Sequence, residues 1–166
     1  EQILLEPVGR NTAPAIGWSL ATMPAAKRAD VVASLHSDHW IEDEDSFRRT
    51  LQAAVDAVAA ARDRVIALGV RPRWAETGYG YLERGQALGP ERAFKVQAFK
   101  EKPDLATAQA YATSGKHFVN SGMFAWRPSA ILAALDQHRP ALGKGVRALV
   151  PAAKAFVAGK PAAPGT

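Results

Sequence analysis

Two short apolar runs bracket one long amphipathic stretch, and this spacing constrains the fold of the 166-residue chain more than any other feature. Val31-Val32-Ala33-Ser34-Leu35 is continuously apolar enough to suit a buried parallel strand. It stops abruptly at His36-Ser37-Asp38-His39. Beyond it, Phe47, Leu51, Ala54, Val55 and Val58 recur at helical spacing. Asp43, Glu44 and Asp45 crowd the start of this stretch, and Arg62 and Arg64 follow its end, so charge complements the helix dipole at both termini. Val65 to Leu68 supplies a second buried strand. Strand, helix and strand of these lengths predict a βαβ unit, whose crossover is almost always right-handed. The continued alternation of short strand-like and longer helical segments predicts an α/β layer fold.

The flanking segments fit that class. Thr12 to Met23 reads as a helix with Ile16, Leu20 and Met23 on one face, and Pro14 is tolerated in its first turn. Past Gly69 the texture changes to glycine-interrupted strands. Phe94 to Phe99 alternates apolar and polar residues, which predicts a half-exposed strand. Asp104 can cap a short helix carrying Ala108, Tyr111 and Ala112, with Gly115 as its stop. Phe118 to Trp126 is a strand interrupted by Ser121-Gly122. Pro128 suits the first position of a helix carrying Ile131, Leu132 and Leu135. Residues 159–166, rich in Pro, Ala and Gly, read as a loose tail.

Composition narrows the function classes. Apolar residues make up 48% of the chain, which suits a packed core, and no apolar run is long enough to span a bilayer. The first residues show no secretory signal. Cysteine is absent, which excludes disulfides and thiolate metal sites and fits a reducing compartment. The net charge of +5 comes from 21 basic and 16 acidic residues scattered along the chain, without a run of like charge. That pattern points away from nucleic acid and membrane surfaces and toward a mildly basic enzyme, compatible with small phosphorylated substrates.

Four local strings carry candidate chemistry. Glu6-Pro7-Val8-Gly9-Arg10-Asn11-Thr12-Ala13-Pro14-Ala15 is a turn opening into a helix. The helix-start N–H groups, with the Asn11 and Thr12 side chains, could bind a nucleobase or an anion; an ordinary capped loop is the alternative. Asp38, in Ser37-Asp38-His39, follows a predicted strand, where a carboxylate can hold Mg²⁺ or simply cap the next turn. A metal pair with His39 ranks low, because Mg²⁺ prefers oxygen and no further histidine lies at ligand spacing. Glu76-Thr77-Gly78-Tyr79-Gly80-Tyr81 allows close approach of a ligand to the backbone, or marks a bulge, and is not a P-loop. Finally, Glu101-Lys102-Pro103 and Asn120-Ser121-Gly122 offer a carboxylate for sugar hydroxyls, an ammonium for phosphate and an amide that donates and accepts. An exposed Glu–Lys pair is the plain alternative.

Taken in order, these strings resemble the sugar-nucleotidyltransferase family, and within it the mannose-1-phosphate guanylyltransferases, from Leu4 to about Ala141. The resemblance implies a Rossmann-like nucleotide-diphospho-sugar transferase core, with residues 1–158 as a partial nucleotidyltransferase domain. The implied reaction joins GTP and mannose 1-phosphate into GDP-mannose in the cytoplasm, with Mg²⁺ as cofactor. Asn11 and Thr12 would lie near the guanine and Asp38 would bind the metal. Gly80 would contact the sugar through its backbone, Glu101 would bind mannose hydroxyls, Lys102 would face the phosphate and Asn120 would complete the pocket.

The chain departs from the family pattern at His36, where Pro is common, and at Val119, where Trp is common. The family's N-terminal glycine-rich phosphate loop, its second acidic metal ligand and the isomerase domain of bifunctional members have no counterpart here, which implies a core truncated at both ends and inactive alone. Two other readings stay open: a non-catalytic fragment or degenerate paralogue that keeps the sugar-phosphate pocket, and a nucleotidyltransferase for another hexose 1-phosphate. Assembly as a homo-oligomer stays open as well.

Overall fold

A computed structural model describes residues 4–6, 8, 9, 11–89 and 93–157. In chain order the helices are α1 (Thr12–Thr22), α2 (Glu44–Ala60), α3 (Leu105–Thr113), α4 (Pro128–His138) and α5 (Pro140–Val157). The strands are β1 (Val32–Ser34), β2 (Val65–Val70), β3 (Tyr81–Ala87), β4 (Phe94–Lys100) and β5 (His117–Trp126). Two compact units result, Val31–Arg127 and the pair of segments Glu1–Asp30 and Pro128–Thr166.

The first unit is an open sheet with α2 and α3. The acidic helix start works as read: Asp43 accepts a hydrogen bond from the Ser46 N–H (2.8 Å), satisfying one of the amides a helix start leaves open. Arg64 returns to the other end and donates to the Ala57 carbonyl (3.2 Å). Ala54 and Val58 pack with Leu68, Met123 and Ala125 as the core, and Val31, Phe47 and Ile66 flank it. Asp104 caps α3 through the Thr107 N–H (2.8 Å), and Gly115 follows the helix with φ of 67°.

The sheet differs from expectation in its pairing. β1 and β2 do not pair with each other; both run antiparallel to β5. Because Trp126 faces both Val32 and Val65 in register, β5 is inserted between the two strands of the predicted βαβ unit. Nor is β1 a fully buried strand: Val32 and Ser34 are half-buried and Ala33 is exposed. A sequence read locally cannot show this, since the inserted strand, beginning at His117, comes long after β2 ends at Val70.

β5 is the spine of the sheet. Along one edge it carries β2; along the other it carries β1 opposite residues 124–126 and β3 opposite residues 117–119. The interval 120–123 is left facing loops rather than a strand on that second edge. β4 pairs only with β3 among the described residues and is exposed along its whole length, rather than on one face as its alternation predicts.

The second unit is helical. α1 packs on α5 so closely that a Cβ added at Gly17 would fall 2.6 Å from Val146 Cγ2. Pro128 opens α4 as predicted. Arg147 of α5 makes a two-pronged ion pair with Asp136 of α4, and its guanidinium holds that carboxyl below the usual range. α5 itself is not anticipated by local sequence. Gly143, Gly145 and Pro151 all weaken helix propensity, and burial of Val146 and Ala153 overrides them. The tail expected at 159–166 lies outside the described residues.

Candidate active site

Of the predicted site residues, Gly80 and Glu101 lie beside Asn120 at the 120–123 interval of β5. The register between β2 and β5 slips between Ala67 and Gly69, which leaves extra residues on β5. Ser121 turns its hydroxyl across this bulge to donate to the Leu68 carbonyl (2.7 Å), and the same oxygen accepts from Met123 N–H (3.1 Å). Gly122 has φ of 73°, a conformation that costs any other residue a Cβ clash. The Gly122 N–H donates to Asn120 Oδ1 (3.2 Å), which fixes the Asn120 amide with its NH₂ free of that bond. The Ser121-Gly122 interruption seen in the sequence is thus a bulge that aims Asn120.

Gly80 lies directly across from Asn120. Its carbonyl accepts the Asn120 N–H (2.8 Å), one step beyond the β3–β5 ladder. It is also crowded from the other side. A Cβ at Gly80 would fall 2.5 Å from Phe99 Cζ and 2.8 Å from Glu101 Oε2, so a larger residue would have to displace that ring and that carboxylate. Gly80, Glu101 and Asn120 therefore form one cluster, made by the end of β4, the start of β3 and the bulge of β5.

Lys102 follows with φ of 41°, a left-handed conformation that costs a side-chain-bearing residue about 1–2 kcal/mol. Strain of that kind, immediately after the Glu101 carboxylate, marks a backbone held in place by its surroundings. Glu101 and Lys102 are both exposed, and no ion pair joins them among the described residues, which removes the plain surface-pair reading.

The loop leading into Gly80 is held by a residue the sequence reading passed over. Glu76 accepts from the Gly78 N–H (2.8 Å) and the Trp74 indole N–H (3.3 Å), while its own N–H donates to the Tyr81 hydroxyl (3.0 Å). The Gly78 amide, then the Trp74 indole, hold the Glu76 carboxyl below its ordinary pKa. The signal was available: a carboxylate two residues before a glycine can close an Asx-like turn on its amide.

Asp38 is exposed beyond the end of β1, in the loop that runs toward the same interval of β5. No hydrogen bond or ion pair engages its carboxylate among the described residues, so its oxygens are free for a hard cation such as Mg²⁺. The reading that no further histidine lies at ligand spacing is corrected here: one ligand atom each from His36, Asp38 and His39 lie within 4.8 Å of one another. The His36 ring rests over Gly122, where a Cβ would fall 2.5 Å from its Nε2.

Asn11 and Thr12 belong to the helical unit. Asn11 is the N-cap of α1 with φ 76° and ψ 174°, a region almost reserved for glycine, and its side chain makes no capping bond. The first turn of α1 therefore keeps its N–H groups free of a side-chain cap, as an anion or base site requires.

A separate cavity of about 470 Å³ opens between α2, β2 and the β3–β4 ribbon, lined by Arg49, Ala54, Leu68, Arg84, Lys95 and Phe118 among others. None of the predicted site residues lines it.

The strand-end loops carry an exposed aspartate, a glycine, a glutamate and an asparagine on an open sheet, and the chain as a whole matches one family, the nucleotidyl transferases. The chain belongs to that family: the nucleotidyl transferase family model matches residues 1–161. It is 43% identical over 147 residues to the mannose-1-phosphate guanylyltransferase of Escherichia coli (strain K12), covering 84% of this chain and 30% of the relative. Among solved structures it is similar to mannose-1-phosphate geranyltransferase from Thermus thermophilus, with a TM-score of 0.79 at 32% identity over 96% of this chain and 47% of that one. It is also similar to mannose-6-phosphate isomerase from Helicobacter pylori, with a TM-score of 0.75 at 28% identity over 89% of this chain and 53% of that one. The chain spans about 30% of the length of the curated relatives it matches. No described helix is long and apolar enough to cross a membrane.

Proposed function

We propose that the protein carrying this chain transfers GMP from GTP to mannose 1-phosphate, giving GDP-mannose and pyrophosphate, in the cytoplasm where nucleoside triphosphate is held. The observation that carries the reading is the cluster of Gly80, Glu101 and Asn120, which sets a carboxylate and a fixed amide beside one stretch of backbone, as a sugar's vicinal hydroxyls would need. Relatives named mannose-1-phosphate guanylyltransferase support GTP and mannose 1-phosphate as the pair.

In this reading Glu101 accepts from mannose hydroxyls, Asn120 donates its NH₂ to the sugar, and the Gly80 backbone lies against the ring. Lys102 neutralises the sugar phosphate. Asn11 and Thr12 bind the guanine at the start of α1. A phosphate oxygen of mannose 1-phosphate attacks the α-phosphorus of GTP in line, and the bond to the bridging α–β oxygen breaks as pyrophosphate leaves. Mg²⁺, held by Asp38, would neutralise charge on the triphosphate. The other residues of the chain serve by positioning, which together with charge neutralisation dominates this class of transfer.

The test is a substrate panel on the protein expressed from the longest reading frame containing these residues. Pyrophosphate release from each nucleoside triphosphate is measured with each of several hexose 1-phosphates. The reading expects kcat/KM to be highest for GTP with mannose 1-phosphate. A clear preference for another pair would reassign the substrate, and release from no pair would refute the activity.

A further inference from the structure

We propose that Glu76 is a positioning residue of the sugar pocket, which clamps the loop before β3 so that the Gly80 backbone is held ready for mannose 1-phosphate. The inference rests on the proposed function, because the pocket it serves is the sugar site of that reading.

Residues 71–80 link β2 to β3 without helix or strand, and glycine at 78 and 80 gives the end of the link more backbone freedom than other residues would. Ordering such a segment costs conformational entropy, so it keeps one conformation only where other bonds hold it. Those bonds converge on Glu76. One carboxylate oxygen accepts the Gly78 N–H (2.8 Å) and the other accepts the Trp74 indole N–H (3.3 Å). The Glu76 N–H donates to the Tyr81 hydroxyl (3.0 Å), which closes the loop onto the first residue of β3.

That anchor is firm. Tyr81 is 1% exposed, and its ring lies 5.4 Å from that of Tyr111 on α3. Gly80 is fixed on its other side by β5, where its carbonyl accepts the Asn120 N–H (2.8 Å). The Glu76 clamp and the β5 bond therefore hold the backbone at Gly78 and at Gly80, two residues apart.

Glu76 serves the loop and not the substrate. Both of its oxygens are engaged inside the loop. The Glu101 carboxylate, by contrast, makes no hydrogen bond or ion pair among the described residues and is free for sugar hydroxyls. Two converging N–H donors also explain a carboxylate at 76 rather than an amide. A glutamine there offers one acceptor oxygen and turns an NH₂ toward the second donor.

The experiment compares the protein expressed from the longest reading frame containing these residues with its Glu76→Ala, Glu76→Gln and Trp74→Phe variants. Initial rates of pyrophosphate release give KM for each substrate, and calorimetry gives the Kd of mannose 1-phosphate without turnover. The inference expects Glu76→Ala to raise KM and Kd for mannose 1-phosphate by about 5- to 20-fold, with KM for GTP within about twofold of the parent. Glu76→Gln should recover part of that loss, and Trp74→Phe, which removes only the longer bond, should raise the same constants about two- to threefold. Circular dichroism checks each variant's fold, and Glu76→Gln and Trp74→Phe carry the test if Glu76→Ala unfolds. Equal losses for GTP and sugar phosphate would overturn the inference. If the parent releases pyrophosphate and the variants keep its sugar KM, the positioning role fails and the proposed function stands. If the parent turns over no pair yet binds mannose 1-phosphate, with Kd rising from parent to Glu76→Gln to Glu76→Ala, the positioning role stands and the proposed reaction fails. A parent that neither binds mannose 1-phosphate nor reacts with it would refute both.

Discussion

The Phe99 ring and the Glu101 carboxylate crowd Gly80, so substitutions at Gly80 and Glu101 should act in the same direction. Glu101→Ala removes an acceptor for substrate hydroxyls and should lower kcat/KM for mannose 1-phosphate by about 5- to 150-fold, the equivalent of about 1–3 kcal/mol. GTP binding, measured by calorimetry, should change little; equal losses for both substrates would move Glu101 out of the sugar pocket. Gly80→Ala should act in the same direction, because its Cβ would fall within 2.8 Å of both Phe99 and Glu101. Asp38→Ala should abolish Mg²⁺-dependent turnover while sparing sugar-phosphate binding, and turnover within a few-fold of the parent would exclude Asp38 from the mechanism. At this scale the sequence was highly legible for Gly80, Glu101 and Asn120, because each sits in a short string whose residue types limit its chemistry. For Glu76 a local signal existed in the glycine two residues on, whereas His36 was illegible. The His36 contact depends on where a bulge in β5 leaves room over Gly122, which is not encoded beside it in the chain.

The elements that position these residues are α2, the Glu76–Gly80 loop and the bulged spine β5. α2 depends on its cap and its core face. Asp43→Ala should destabilise the fold by about 0.5–2 kcal/mol in urea unfolding, through the lost acceptor for the Ser46 amide. The Glu76 loop should respond to pH with a definite sign. The Glu76 carboxyl is held below its ordinary pKa by the Gly78 amide, so its stabilising contribution is fully present above the usual carboxylate range and is lost as pH falls through the depressed value. The Gly78 amide resonance should therefore titrate with a midpoint below the ordinary glutamate value, and Glu76→Gln should abolish that titration. A midpoint at or above the ordinary value would show that the Gly78 bond does not form in solution. Helix boundaries were legible because caps and periodicity are local: α1, α2, α3 and the start of α4 fall where the sequence places them. Strand partners were not legible, since the two apolar runs look alike whether they pair directly or flank an inserted strand. α5 was missed for the converse reason, as its glycines and internal proline argue against a helix that tertiary packing then stabilises.

Taken as a whole, the molecule combines an open sheet built on one spine with a separate helical unit, and the sugar cluster and the candidate metal ligands all belong to the sheet unit. The α/β class was legible from alternating element lengths, and the family from strings spread along most of the chain. The antiparallel pairing of every described strand was not. The match across residues 1–161 makes the chain a member of the nucleotidyl transferase family. The central claim is that a guanylyl group moves to a sugar phosphate by direct attack at the α-phosphorus. The most direct measurement supplies GTP labelled at that phosphorus, together with mannose 1-phosphate and Mg²⁺, to the protein expressed from the longest reading frame containing these residues. The account predicts that the label appears in GDP-mannose, that unlabelled pyrophosphate is released in equal amount, and that Asp38→Ala forms neither. Label recovered in free GMP or GDP instead, with no nucleotide sugar formed, would contradict it.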